Sequence, residues 1–123
     1  MIELTNEQIL ELNQSLNNLQ ESKVALNIKV SYKLARIKKI VQSYVNTIQQ
    51  EQMNLYKKYG EPEGEDKIKV PAEKLNDFTN EFEELIKINN NIEIEPINVE
   101  EFGDTEIDFN IMDGLMNILD NKI

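Results

Sequence analysis

The chain of 123 residues contains no cysteine and no histidine. Without cysteine there is no disulfide and no thiol nucleophile. Without histidine the usual general base near neutral pH is missing, together with the commonest metal ligand. Catalysis would then have to rest on carboxylates, lysine or a bound metal, and the chain reads as non-enzymatic, with no cofactor and no metal site. Glycine and proline are absent from the first 59 residues: Gly60 and Pro62 are the first of each. No apolar run approaches the roughly 18 to 20 residues that cross a bilayer. Met1-Ile2-Glu3-Leu4-Thr5 does not begin a basic and then apolar leader. We expect a soluble protein that works inside a cell and has no membrane partner. No glycine-rich phosphate loop, serine-centred elbow or zinc-ligand spacing occurs.

What is present is helical periodicity. Thr5 can cap a first helix, with Gln8 at the capping-box position. Ile9, Leu12, Leu16 and Leu19 follow on one face. The stripe weakens through Gln20-Glu21-Ser22-Lys23, and Asn17, Asn18 and Ser22 are mediocre helix formers. It resumes at Val30, Leu34, Ile37, Val41, Tyr44, Ile48 and Leu55. These spacings predict a short helix at about 5–19, a bend near 20–27 and a long helix at about 25–59. The alternative is one continuous rod of roughly 80 Å.

Residues 60–66, Gly-Glu-Pro-Glu-Gly-Glu-Asp, form a turn or loop. Ile68 and Val70 alternate with lysines as a short strand. Pro71 suits the first turn of a third helix carrying Leu75, Phe78, Phe82 and Leu85 and ending at Asn89-Asn90-Asn91. Ile92, Ile94, Ile97 and Val99 alternate with polar residues as one extended segment, interrupted at Pro96. Asp108 can cap a last helix with Ile111, Met112, Leu115, Ile118 and Leu119 inward, although Gly114 weakens it. The fold class is α+β and mainly α: a short N-terminal helix, one long helix, two shorter C-terminal helices and a small β element. We read residues 1–123 as one domain, with the shorter helices packed on the long one. That helix is longer than a small core can cover, so a partner or a second copy along it is expected.

Charge divides the chain. Residues 1–59 hold eight Lys/Arg against five Asp/Glu, and residues 60–123 hold five against eighteen, for a net charge of −10. Lys29, Lys33, Arg36 and Lys39 fall at helical spacing off the apolar stripe. They suit an acidic protein surface, or they pair with the chain's own acidic half, or they are solvated. Nucleic acid is disfavoured as a partner, since the net charge opposes approach to phosphate. Tyr32, Tyr44, Tyr56 and Tyr59 lie along the same helix, and Tyr56 and Tyr59 near its end are candidates for partner contact or for packing. Glu61, Glu63, Glu65 and Asp66 lack the ligand order of a calcium loop and read as solvated. Asp104, Glu106, Asp108 and Asp113 read as turn and cap residues.

The order of segments resembles a family of small bacteriophage proteins of uncharacterised function. Carrying the resemblance are Val30-Ser31-Tyr32-Lys33-Leu34-Ala35-Arg36-Ile37-Lys38-Lys39, then Leu55-Tyr56-Lys57-Lys58-Tyr59-Gly60-Glu61 with its acidic loop, a phenylalanine-bearing helix ending Glu-Glu-Leu, and Ile92-Glu93-Ile94-Glu95-Pro96-Ile97. The similarity covers most of the chain. It implies a phage or prophage origin, a location in the host cytoplasm or the virion, and a break before the long helix. It supplies no activity and no functional residues. Two expectations follow: an interaction protein acting on a host or defence factor, its acidic half facing a basic target, or a structural or assembly protein that self-associates.

Overall fold

The computed structural model describes residues 2–62 and 68–120. Among them are four α-helices: α1 (Asn6–Glu21), α2 (Ile28–Tyr59), α3 (Ala72–Ile86) and α4 (Phe109–Leu115). Six short strands form three two-stranded sheets. β1 (Ile2–Thr5) pairs antiparallel with β4 (Asn89–Ile92), β2 (Glu61–Pro62) antiparallel with β3 (Ile68–Lys69), and β5 (Ile97–Asn98) parallel with β6 (Leu119–Asp120). The chain is therefore α+β and mainly α. Glu63, Glu65 and Asp66 of the acidic loop lie outside the described residues.

The capping box forms as the sequence indicates. Thr5 Oγ1 accepts from the Gln8 N–H at 3.2 Å, and Gln8 Oε1 accepts from the Thr5 N–H at 2.8 Å. α1 runs two residues beyond Leu19 and closes at Ser22, where Lys23 takes a left-handed φ of 55°. α2 starts three residues later than the spacing suggested. Asn27 caps it, accepting from the Val30 N–H at 3.0 Å while donating to the Glu101 carbonyl at 2.7 Å. The helix is thus broken at residues 22–27, and α1 folds back antiparallel on α2, with Gln20 bonded to Lys38 and Asn6 beside Tyr44 and Ile48.

α1 is half as long as α2, so the far part of α2 needs another neighbour. α3 supplies it, meeting the N-terminus of α1 end to end. Asn6 is the joint: its Nδ2 donates to the Leu85 carbonyl at 2.7 Å, and its Oδ1 accepts from Asn90 Nδ2 at 2.8 Å. The core is one cluster, with Leu4, Ile9, Leu12, Val30, Val41, Ile92, Ile97, Leu115 and Ile118 almost wholly excluded from solvent. Removing each such side chain from water contributes about 1.5–3 kcal/mol. None of the residues of α3 is fully buried, so α2 and α3 form a thinner, two-helix arm.

Several expectations are corrected. On α2 the core position is Val45 and not Tyr44, which is half-buried, because a 3.6-residue period drifts past a strict 3-4 count. α3 stops at Ile86, and Asn89–Asn91 leave it to pair with β1, a strand the sequence reading did not include. The extended segment breaks at residues 93–96, the alternative Pro96 allowed, so that Ile92 closes β4 and Ile97 opens β5, but Val99 leaves it to open a 3-10 turn. α4 packs on α1, not on α2, and ends at Leu115; Leu119 belongs to β6. Gly114 is the reason α4 fits: a Cβ there would lie 1.7 Å from Ser15 Oγ and 2.7 Å from Ser15 Cβ.

Candidate protein-interaction face

The N-terminal half of α2 presents three sides. Val30, Leu34, Ile37 and Val41 face the core. On one flank lies a groove of about 800 Å³, walled on the helix side by Ile28, Lys29, Tyr32, Lys33 and Arg36. The segment Glu93-Ile94-Glu95 forms its opposite wall. On the other flank a second hollow, of about 600 Å³, lies over Leu16, Leu19 and Leu34 with Lys38 and Lys39 at its edge.

The structure therefore gathers three of the four basic candidates and separates the fourth. Lys29, Lys33 and Arg36 share one groove, whereas Lys39 lines the other. Within the groove the charges are not equivalent. Lys33 Nζ lies 2.5 Å from Glu101 Oε1, and Lys29 Nζ lies 3.7 Å from the same oxygen. The Lys33 ammonium, and after it the Asn98 N–H, holds the Glu101 carboxyl below the ordinary carboxylate range. Glu101 thus answers part of the stripe from within the chain, as the self-pairing alternative anticipated. Arg36 sits instead with its guanidinium 6.0 Å from the centre of the Tyr32 ring, within the range of a cation–π contact.

Apolar side chains accompany these charges. Ile28 is 84% exposed and Tyr32 63% exposed, one helical turn apart and continued by Arg36 at the next turn. Large apolar groups this open contribute little to folding. The sequence reading missed Ile28 because it looked for apolar residues on the stripe, and Ile28 is apolar off the stripe.

Tyr56 and Tyr59 lie elsewhere, since the rise of a helix puts Tyr56 about 36 Å from Tyr32. They pack in the arm. Tyr56 and Phe78 have ring centres 5.1 Å apart, Tyr59 and Phe78 6.3 Å, and Phe78 and Phe82 6.1 Å. Glu81 of α3 takes Lys58 Nζ at 3.1 Å, and its carboxyl is held low first by the Tyr59 hydroxyl and then by Lys58. The same bond raises the Tyr59 hydroxyl above its ordinary value. Both tyrosines join α2 to α3, with Tyr56 still 40% exposed.

The acidic candidates do not form a centre. Asp108 caps α4, its Oδ1 accepting from the Asn110 N–H at 2.8 Å, and Asp104, Glu106 and Asp113 are exposed. Among the described residues no three or more carboxylates lie together so as to hold a metal ion. No helix among them is long and apolar enough to cross a membrane. The chain matches no protein-family model, no curated protein and no solved structure.

Proposed function

We propose that the chain is a non-enzymatic binding module that takes an acidic, apolar-anchored segment of another protein along the N-terminal half of α2. The observation that carries this reading is the exposed run Ile28–Tyr32–Arg36 above a groove with Lys29 and Lys33 at its edge. Tyrosine and arginine are the residue types in which binding energy concentrates, and an aliphatic neighbour supplies area to desolvate. The lysines favour carboxylates, while the net charge of −10 disfavours a polyphosphate chain. A basic target would meet the outer side of α3, where Glu73, Asp77 and Glu84 are exposed. The groove is the more developed surface, because apolar anchors accompany its charges.

Following the resemblance to phage proteins, we place the module in an infected cell, with a host or phage protein as partner and inhibition or modulation of a host or defence factor as its action. The test is capture from infected-cell lysate by the immobilised chain and by a Tyr32→Ala/Arg36→Glu variant, at low and at high salt. Discrete proteins should bind the unaltered chain at low salt. They should be lost from the variant, with far-UV circular dichroism unchanged, and weakened by salt. An identical bound set for both chains refutes the groove. A second reading, self-association as an assembly protein, is favoured by a separate observation on α4.

A further inference from the structure

We infer that the acidic segment this groove takes is the α4 region of a second copy of the chain. The inference rests on the reading of the groove as a site for an acidic, apolar-anchored segment, and makes a second copy of this phage-like chain the partner that supplies it. It starts from α4 and the 3-10 turn Met116–Ile118 that follows it, which together are apolar on two sides. Ile111, Leu115 and Ile118 pack inward, with Leu115 and Ile118 wholly buried and Gly114 seated against Ser15. On the other face Phe109 is 81% exposed and Met116 55% exposed, with Met112 between them at helical spacing. An apolar stripe on a helix is normally covered by a neighbour. An exposed Phe-Met stripe is a recurrent composition of binding surfaces.

The α4 stripe and the α2 wall of the groove complement one another in sign, composition and length. The stripe is bordered by the exposed carboxylates Asp104, Glu106 and Asp113, and the α2 wall carries Lys29, Lys33 and Arg36. Phe109 and Met116 would meet Ile28 and Tyr32, so each copy would cover the apolar groups the other exposes. A seven-residue helix is about 10 Å long, and Ile28 to Arg36 spans about 12 Å of α2. Glu93 and Glu95 on the far wall confine an acidic guest to the α2 side. The guest cannot be the chain's own α4, because that helix is fixed on α1 through its buried face. Pairing is therefore between copies, either reciprocal about a two-fold axis or head to tail.

The test uses two charge-reversed chains. Lys29→Glu/Arg36→Glu makes the groove acidic, and Asp104→Lys/Asp113→Lys makes the α4 surface basic. All four positions are exposed, so both variants should keep the parent far-UV spectrum. Light-scattering mass of the unaltered chain should rise with concentration at low salt and fall toward the monomer at high salt. Each reversed variant, and Phe109→Ala, should need about tenfold more protein to associate. A mixture of the two reversed variants should associate again, because an acidic groove then meets a basic α4. A parent chain that is monomeric throughout, or association untouched by the reversals, overturns the inference. If the chain is monomeric and the Tyr32→Ala/Arg36→Glu variant still loses captured proteins, the inference fails while the groove reading stands. If that variant changes neither mass nor capture, both fail.

Discussion

Replacing Gly114 by alanine sets two effects of known sign against each other. Helix propensity alone favours alanine over glycine by up to about 1 kcal/mol inside a helix. Packing opposes it, because the new Cβ would lie 1.7 Å from Ser15 Oγ and 2.7 Å from Ser15 Cβ. The hydroxyl can rotate away, but the serine Cβ moves only with the backbone of α1. Ordinary contact would require α4 to retreat by several tenths of an ångström at least, loosening Leu115 and Ile118 from the core. Overpacking of this kind costs about 1–3 kcal/mol, so Gly114→Ala should be net destabilising by about 1 kcal/mol. Ser15→Gly should cost about 0.5 kcal/mol through propensity. Ser15→Gly/Gly114→Ala moves the missing side chain to the other helix, and the nearest remaining atom, Ser15 Cα, stands 4.0 Å away. The double variant should be more stable than Gly114→Ala alone, with a coupling of about 1 kcal/mol or more. Ser15→Ala/Gly114→Ala should recover only part of this, because the 2.7 Å contact persists. Urea unfolding followed by far-UV circular dichroism measures all five chains. Gly114→Ala as stable as the parent, or additive changes in the double variant, would refute the close crossing of α4 over α1.

Other consequences concern the joints of the fold. Asn6→Ala removes the bonds to the Leu85 carbonyl and from Asn90 Nδ2 at a site 6% exposed. It should cost about 2 kcal/mol by chemical denaturation, for two part-buried hydrogen bonds at about 1 kcal/mol each, the Leu85 carbonyl keeping the Ile88 N–H. Lys23 holds a left-handed φ of 55° just past α1, so Lys23→Gly should raise the thermal midpoint, a gain of about 0.5–1 kcal/mol. Glu101 has its folded-state pKa below its unfolded value. Its contribution to stability is therefore present above the unfolded pKa and lost as pH falls through the folded one. Glu101→Gln should flatten the acid side of the stability–pH curve, and an unchanged slope would contradict the Lys33 pairing. Tyr32→Ala should leave stability within about 0.5 kcal/mol of the parent, because this ring is largely in solvent.

The helical frame was legible because local chemistry wrote it. Thr5 with Gln8, Pro71 and Asp108 each stand at or beside a helix start that their side chains or ring favour, whereas the Asn27 cap of α2 was passed over and the start set three residues early. The strands were not legible, for a physical reason. Ile2–Thr5 and Asn89–Ile92 become strands by pairing with each other across 84 residues or more, and nothing within either segment records that partner. Three consecutive asparagines read as a helix stop, but α3 has ended at Ile86 before them, and they form β4, with the Asn90 side chain donating backward to the Leu4 carbonyl and to Asn6. The same limit applied to the basic stripe. Periodicity placed Lys29, Lys33, Arg36 and Lys39 on one side of α2, yet only the packing of α1 and of Glu93-Ile94-Glu95 reveals two hollows with Lys39 beside the other one. Tyr56 and Tyr59 looked like Tyr32 in the sequence, and what distinguishes them is Phe78.

Where local and global requirements agree, a residue is explained by folding, and most of this chain is explained that way. The exceptions are therefore informative. Ile28 and Tyr32 place apolar area on a turn of α2 whose core side is already filled by Val30 and Leu34. Phe109 and Met116 do the same on α4 and the 3-10 turn after it, whose core side is filled by Leu115 and Ile118. Neither pair is needed to close the core, and both leave apolar surface in water, which folding alone opposes. On α2 itself the neighbours of Ile28 and Tyr32 are basic, with Glu93 and Glu95 across the groove, and those of Phe109 and Met116 are acidic. A folding argument gives no reason for that sorting, because exposed charges of either sign solvate a surface equally well. A binding argument does: like charges around an apolar anchor select a partner segment of the opposite sign and reject one of the same sign. Ile28, Tyr32, Phe109 and Met116 are thus the residues on which the proposed interaction should depend.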